Sequence, residues 1–302
     1  MSFSSDVKTE LCRAPINKSC CAVAECYGIL LFCNTFASSG MKLITESHPF
    51  AKRLPKLFKK AFGFSFDIQP EDAERAGKLA FLITDTKKLD ILFDIYGYDR
   101  RSILAHHINL GILEEDCCRQ SFLRGAFLAG GSVTDPKKRY HLEFVTDHFS
   151  VGREVFSLLL DMGFEPKSTS RAGNYITYFK QSETIEDFLT TIGAPVASME
   201  IMSAKIMKDM RSSVNRRVNC DTANVGKTVE AAQEQLEAIR KLEASVGLKN
   251  LPDKLAQTAF IRVSNPEASL SELALLTDPP VTKSCLNHRL RKLMELAADA
   301  KE

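Results

Sequence analysis

The segment Thr282–Lys292, TKSCLNHRLRK, gathers side chains that read nucleic acid. Arg donates two parallel hydrogen bonds to guanine, Asn pairs with the edge of adenine, and Lys and Ser hold phosphates. Lys283, Ser284, Asn287, His288 and Arg291 project to one side at helical spacing, with Arg289 and Lys292 flanking them. Ser269 and Thr282, at the starts of the last two helices, complete the candidate DNA-binding set. From Val281 to Leu293 there are four basic residues and no acidic one. The plain alternative is the solvated basic face of a small helical bundle.

Other sets carry less chemistry. His106-His107 with Cys117-Cys118 has the content of a metal site but not its helical or knuckle spacing, so a structural role fits better. The nine cysteines are odd in number and include two adjacent pairs, Cys20–Cys21 and Cys117–Cys118, with no Cys-x-x-Cys. They read as buried, reduced thiols rather than a disulfide framework or zinc site. Lys52, Arg53, Lys56, Lys59 and Lys60 form a basic cluster that reads as a solvated helix face. Pro136-Lys137-Lys138-Arg139 is a basic loop, equally readable as a DNA-backbone contact. There is no phosphate-binding Gly-rich loop and no Ser/His/Asp pattern. No catalytic residue, cofactor or metal is expected.

The elements that must position these groups follow from length and pattern. With 302 residues, 44% hydrophobic and 26% charged, the chain has the composition of a soluble protein of two or three domains. Lys+Arg 40 against Asp+Glu 38 leaves a net +2, so a nucleic-acid surface has to be local. The start, MSFSSDVKTEL, has no signal-peptide core, and the apolar run Cys26–Cys33 is too short to span a bilayer. A cytoplasmic protein is expected.

A small-residue helix is expected over about Ser19–Phe36, a strand over Met41–Thr45, and a basic amphipathic helix from His48 closed by Gly63. Strands at Phe64–Ile68 and Gly77–Thr84 precede a helix, Lys87–Tyr96, closed by Gly97. Arg100–Leu113 reads as a connection. The order then recurs: helix Asp116–Gly130, strand Tyr140–Thr146, helix Phe149–Met162 closed by Gly163, a hairpin of Glu165–Arg171 and Asn174–Lys180 about Ala172-Gly173, and helix Thr184–Ile192 closed by Gly193.

The landmark glycines keep step. Gly28 and Gly125 are 97 residues apart, Gly63 and Gly163 are 100, and Gly97 and Gly193 are 96. Three such offsets in order imply an internal duplication. Each half is a helix–strand–helix–strand–strand–helix unit of an α+β layer, and the halves pair about a pseudo-twofold axis. In QSFLRGAFLAGGSV, Gly125 and Ala129 are four apart, as are Ala24 and Gly28 in the earlier helix. Small residues on such a stripe let two helices approach closely. Taken alone, Gly130-Gly131 reads as an ordinary C-cap.

Pro195–Arg217 reads as a helix with Met199, Met202, Ile206 and Met210 on one side, Asn215–Lys227 as a polar joint, and Lys227–Val246 as a further helix. Three helices follow: Leu251–Val263, Leu270–Leu276 opened by a Ser269/Glu272 capping box, and Lys283–Ala297 capped by Thr282. This is the layout of a helix-turn-helix.

SFLRGAFLAGGSV resembles the LAGLIDADG motif of homing endonucleases, Leu123-Arg124-Gly125 matching its opening. In that family the motif helices pack together and their terminal acids hold metals. Here the first acidic position is Leu128 and the metal-binding one is Gly130. In the first half, where Cys26-Tyr27-Gly28 starts the match, the metal position falls at or near Cys33. Neither helix end retains a carboxylate, and Asp135 lies beyond its helix without a counterpart.

The whole chain resembles the WhiA family, through SFSSDVKTEL, FLRGAFLAGGSV, NRRVNCDTAN, GKTVEAAQEQLEAI and TKSCLNHRLRKL. The resemblance implies an α+β, duplicated LAGLIDADG-like αββαββα domain over residues 1–217 (halves about 19–113 and 114–217), a helical linker over 218–248, and an all-α helix-turn-helix domain over 249–302. It implies a non-catalytic, nucleoid-associated bacterial DNA-binding protein that regulates transcription and sporulation or serves cell division and chromosome segregation. Double-stranded DNA is the partner expected, with a partner transcription factor or RNA polymerase as a second class and no membrane. The alternatives are a residual LAGLIDADG endonuclease and a protein-interaction scaffold.

Overall fold

The computed structural model describes residues 2–75, 77–100 and 105–300. The chain divides into two units, Met1–Lys208 and Asp209–Glu302.

In the first unit α1 (Phe3–Leu11) precedes two similar halves. The first half runs α2 (Ser19–Leu31), β1 (Thr35–Ala37), β2 (Gly40–Thr45), α3 (His48–Phe62), β3 (Leu79–Ile83) and α4 (Thr86–Ile95). The second runs α5 (Asp116–Gly130), β4 (Gly131–Val133), β5 (Leu142–Thr146), α6 (Phe149–Asp161), β6 (Lys167–Arg171), β7 (Asn174–Phe179) and α7 (Ser182–Ile192). Their antiparallel sheets have the orders β1-β2-β3 and β4-β5-β7-β6. The duplication is therefore visible in the fold.

Local chemistry sets the element ends. Asp85 caps α4 by accepting from Lys87 N and Lys88 N at 2.8 and 3.1 Å. Gly63 and Gly193 close α3 and α7 in the left-handed conformation. At the β6–β7 turn Ala172 and Gly173 have φ of 49° and 82°, the two positive values of a type I′ hairpin. Every residue of β6 is exposed, and it forms the sheet edge beyond β7.

Two expectations change. The strand at Phe64–Ile68 shrinks to a single bridge, Ile68↔Leu82. Pro70 then lacks the N–H that a continuing ladder needs, and the side chain of Asp67 is turned to the Thr84 and Asp85 amides instead. Gly131 does not cap α5 in a left-handed turn, because its φ and ψ are −93° and 155° and it begins β4. The connection Arg100–Leu113 includes residues 101–104, outside the described residues; its end forms a short 3₁₀ turn, Leu110–Ile112.

Helices α2 and α5 form the seam of this unit. A Cβ on Gly28 would lie 2.1 Å from the Phe122 carbonyl oxygen, and one on Gly125 would lie 2.0 Å from that of Glu25. The two backbones therefore touch, and hydrogen is the only side chain either position accommodates. Tyr27 stacks on Tyr96 at 4.3 Å and meets Phe122 edge-on at 5.6 Å, so each half's core reaches the seam.

The long helix α8 (Pro195–Ser245) includes the Asn-rich stretch expected to be a joint. No proline occurs between Pro195 and Pro252, Gly226 costs a helix only about 1 kcal/mol, and Thr228 back-bonds to the Asn224 carbonyl. Met199, Met202, Ile206 and Met210 are all exposed, so that stripe is not core.

In the second unit α9 (Asp253–Ser264), α10 (Leu270–Leu275) and α11 (Lys283–Asp299) close around Ile239, Leu242, Ala259, Leu273, Leu286, Leu290 and Leu293. The Ser269/Glu272 capping box forms in full. Arg262, 1% exposed, donates to Gln235 Oε1 at 2.9 Å and to the Ala268 carbonyl at 2.6 Å, tying α9 to α8 and to the turn before α10.

Candidate nucleic-acid interface

Thr282 starts α11 by accepting from Cys285 N at 3.2 Å. At about 100° per residue, Leu286, Leu290, Leu293 and Ala297 fall on one arc and are buried. Outside that arc lie two neighbouring rows: Lys283, Asn287 and Arg291, then Ser284, His288 and Lys292. All six are exposed. Glu295 lies 3.5 Å from Arg291 and 3.6 Å from Lys292, exposed pairings that contribute little.

The structure sets Arg289 to the side of this surface and gives Ser269 and Thr282 a capping role. Arg289 lies beside the buried arc, half-buried, with Nη1 enclosed and without a hydrogen-bond partner. The hydroxyl oxygens of Ser269 and Thr282 accept from Glu272 N and Cys285 N, leaving them only a hydroxyl hydrogen to donate to a phosphate.

The first unit holds a different site, where the motif helices end. Cys33 follows α2 and donates to the Leu30 and Thr35 carbonyls at 3.2 and 3.1 Å; burial pushes its thiol up to about 12, so it is neutral. A Cβ on Gly130 would lie 2.6 Å from the Phe32 ring, so no carboxylate fits there. Asp135 spends its Oδ1 on the Lys137 amide in a turn. A cleft of about 790 Å³ opens at these ends, lined among others by Lys8, Cys33, Glu46, Lys78 and Leu128. Lys8 Nζ donates to the Leu128 carbonyl at 3.1 Å and lies 5.9 Å over the Phe127 ring. A single ammonium, carried in by α1, thus answers the negative end of α5.

Burial lowers the Lys8 ammonium to about 8. The unfolded chain keeps that proton to about 10.4, so between these values the unfolded state binds more protons and stability rises with pH. The unfolding free energy of the wild type relative to Lys8→Met should therefore climb between pH 8 and 10, by about 2 kcal/mol, in urea titrations. A flat difference would mean that Lys8 is hydrated.

Three further findings lay outside the sequence reading. Arg53 is not part of a solvated face. It is 5% exposed and grips Glu25 through Nε–Oε1 at 2.6 Å and Nη2–Oε2 at 2.8 Å, while Lys52, Lys56, Lys59 and Lys60 are exposed. Arg124 reaches the same carboxylate at 3.3 Å and donates to the Ile192 carbonyl at 2.6 Å. An acid set within CAVAECYGIL was the available signal that a buried cation had to meet it. His106 stacks on Phe36, and the sulfurs of Cys117 and Cys118 gather with those of Cys20 and Cys21 instead of with the histidines. Only Cys26 and Cys118 are fully buried, against the expectation for the thiols as a group.

Residues 119–211 match the family model of the WhiA LAGLIDADG-like domain, and residues 214–297 match that of the WhiA C-terminal HTH domain. The chain is 39% identical over 305 residues to a protein of Ruminiclostridium cellulolyticum named "Probable cell division protein WhiA", covering 98% of this chain and 97% of that one. A Clostridium botulinum protein of the same name is 37% identical over 315 residues, covering 100% and 99%. The crystal structure of full-length WhiA from Thermotoga maritima superimposes over 100% of both chains with a TM-score of 0.60 at 24% identity, a likeness of fold.

Proposed function

The chain belongs to the WhiA family, and from that premise we propose that it is a non-catalytic DNA-binding protein that regulates transcription or serves cell division and chromosome segregation. The observation that carries this is α11, whose two exposed rows hold Lys283, Asn287, Arg291, Ser284, His288 and Lys292. A helix of this kind fits the major groove, with Asn287 and Arg291 toward base edges and Lys283, Ser284 and Lys292 toward phosphates. Arg289, Ser269 and Thr282 then act mainly by shaping and capping the helices that present this face. The helix-turn-helix occupies residues 249–302, with 218–248 as a helical lead-in. The relatives' name supplies the cell-division role, and DNA binding places the protein at the nucleoid in the cytoplasm.

The nuclease alternative loses its support at Cys33 and Gly130, where carboxylates would be needed to hold a catalytic metal. The family-like domain, residues 1–217, serves on this reading as a scaffold, with a transcription factor or RNA polymerase as the partner class.

Replacing Lys283 and Lys292 together by Ala should weaken DNA binding. It should also reduce the slope of log K against log salt by about 2, since each phosphate contact contributes roughly 0.9. Gel-shift titration on genomic fragments across a salt series reads both quantities. Unchanged affinity and slope would remove α11 from the interface.

A further inference from the structure

The N-terminal ends of the seam helices bring four cysteines together. Cys20 and Cys21 stand in the first turn of α2, Cys117 and Cys118 in the first turn of α5, and their four sulfurs all lie within 4.8 Å of one another. Each pair is separated from its counterpart by 97 residues, the same offset as Gly28 and Gly125. The cluster therefore straddles the pseudo-twofold axis, with two sulfurs from each half.

From this geometry we infer that the cluster is a structural tetrathiolate site for a single Zn²⁺ ion. Zinc–thiolate bonds of about 2.3 Å define a tetrahedron with sulfur–sulfur edges of about 3.8 Å, so small side-chain adjustments close the site. The surroundings suit its charge. Four thiols release four protons on binding, leaving a centre of net charge −2. Both helices present their N-terminal ends to the sulfurs, and neither N-cap residue, Lys18 or Glu115, closes its helix with a side-chain hydrogen bond. The positive end of a helix favours thiolate. Lys18 Nζ stands 3.9 Å from Cys117 Sγ and adds a cation. Access is graded: Cys20 is exposed, Cys21 and Cys117 are half-buried, and Cys118 is buried, so the ion enters from the Cys20 side. Glycines hold the middle of the seam by contact, and the metal would hold one end by coordination.

The test uses the full-length chain purified under reducing conditions. Plasma mass spectrometry should find about one zinc per chain. After removal of the metal, Co²⁺ should titrate in with sulfur-to-cobalt charge-transfer and tetrahedral ligand-field bands that saturate at one equivalent and vanish on adding Zn²⁺. Cys20→Ser with Cys118→Ser should abolish both signals, and Cys220→Ser with Cys285→Ser should leave them unchanged. Should the double Cys20/Cys118 variant fail to fold, Cys20→Ser alone, at the exposed corner, should weaken Co²⁺ binding by about tenfold or more while the far-UV circular dichroism stays wild-type. A metal-free wild-type chain that gives no cobalt bands overturns the inference. So do iron in place of zinc, two disulfides found by mass spectrometry of the unreduced chain, and metal binding indifferent to Cys20→Ser.

Discussion

Gly125→Leu should unfold the first unit rather than loosen it. The atoms that a side chain at residue 125 would meet are the Glu25 carbonyl oxygen at 2.0 Å, its carbon at 2.9 Å and the Ile29 amide nitrogen at 3.1 Å. All three belong to a helical backbone, so no rotamer change makes room. Even alanine forces the axes of α2 and α5 apart, and that movement opens the packing of Tyr27 against Phe122 and Tyr96. Overpacking alone costs 1–3 kcal/mol in compliant cores, and here the whole seam must separate. A loss of about 5 kcal/mol or more is expected for leucine, with alanine between it and wild type. Hydrogen exchange provides the measurement: amides of α2 and α5 should lose protection while those of α11 keep theirs. Wild-type exchange in α5 would put the seam elsewhere.

The second large effect is expected at Glu25, 2% exposed and held by Arg53 and Arg124. Glu25→Ala would leave two guanidinium groups facing each other in a closed space. Removing one partner of a buried ion pair typically costs 3–5 kcal/mol, so a loss of about 4 kcal/mol is expected in urea unfolding. Arg53 keeps the Cys12 and Ala14 carbonyls at 3.1 and 2.6 Å, which limits the damage on its side. Combining Glu25→Met with Arg53→Met should recover part of the loss, because the uncompensated charge goes with the pair. If Glu25→Ala cost less than about 1 kcal/mol, water would have to reach the pocket.

What the residues disclosed in advance depended on whether a constraint stayed local. Left-handed glycines at Gly63 and Gly193, the Ser269/Glu272 box and the Thr282 cap are short-range devices, and the elements they end lie within a few residues of the expected positions. The three-residue strands β1 and β4 are too short to show alternation, and the bridge at Ile68 replaces a longer strand because of a proline two positions on. In α8 the Asn-rich stretch resembled a joint because asparagine usually competes with helix, yet nothing in it forbids one. Glu25 finds Arg53 and Arg124 at separations of 28 and 99 residues, which no local pattern reveals. The cysteines teach a sharper lesson. Judged by their own spacing, the two adjacent pairs argue against a metal, but the 97-residue repeat offset superposes one pair on the other. In a duplicated chain, ligand spacing has to be counted modulo the repeat.

The edge strand β6 has a consequence for how the molecule behaves at high concentration. Its sequence, Lys-Ser-Thr-Ser-Arg, is symmetric in character about Thr169. If a second molecule added its own β6 antiparallel and in register, Lys167 of each would stand opposite Arg171 of the other, and only hydroxyl side chains would meet between them. Like charges directly opposite are destabilising in a ladder, and Lys on an edge is a known guard against unwanted pairing. The most exposed row of unpaired backbone in this sheet is thus protected from self-association by two charges at its ends.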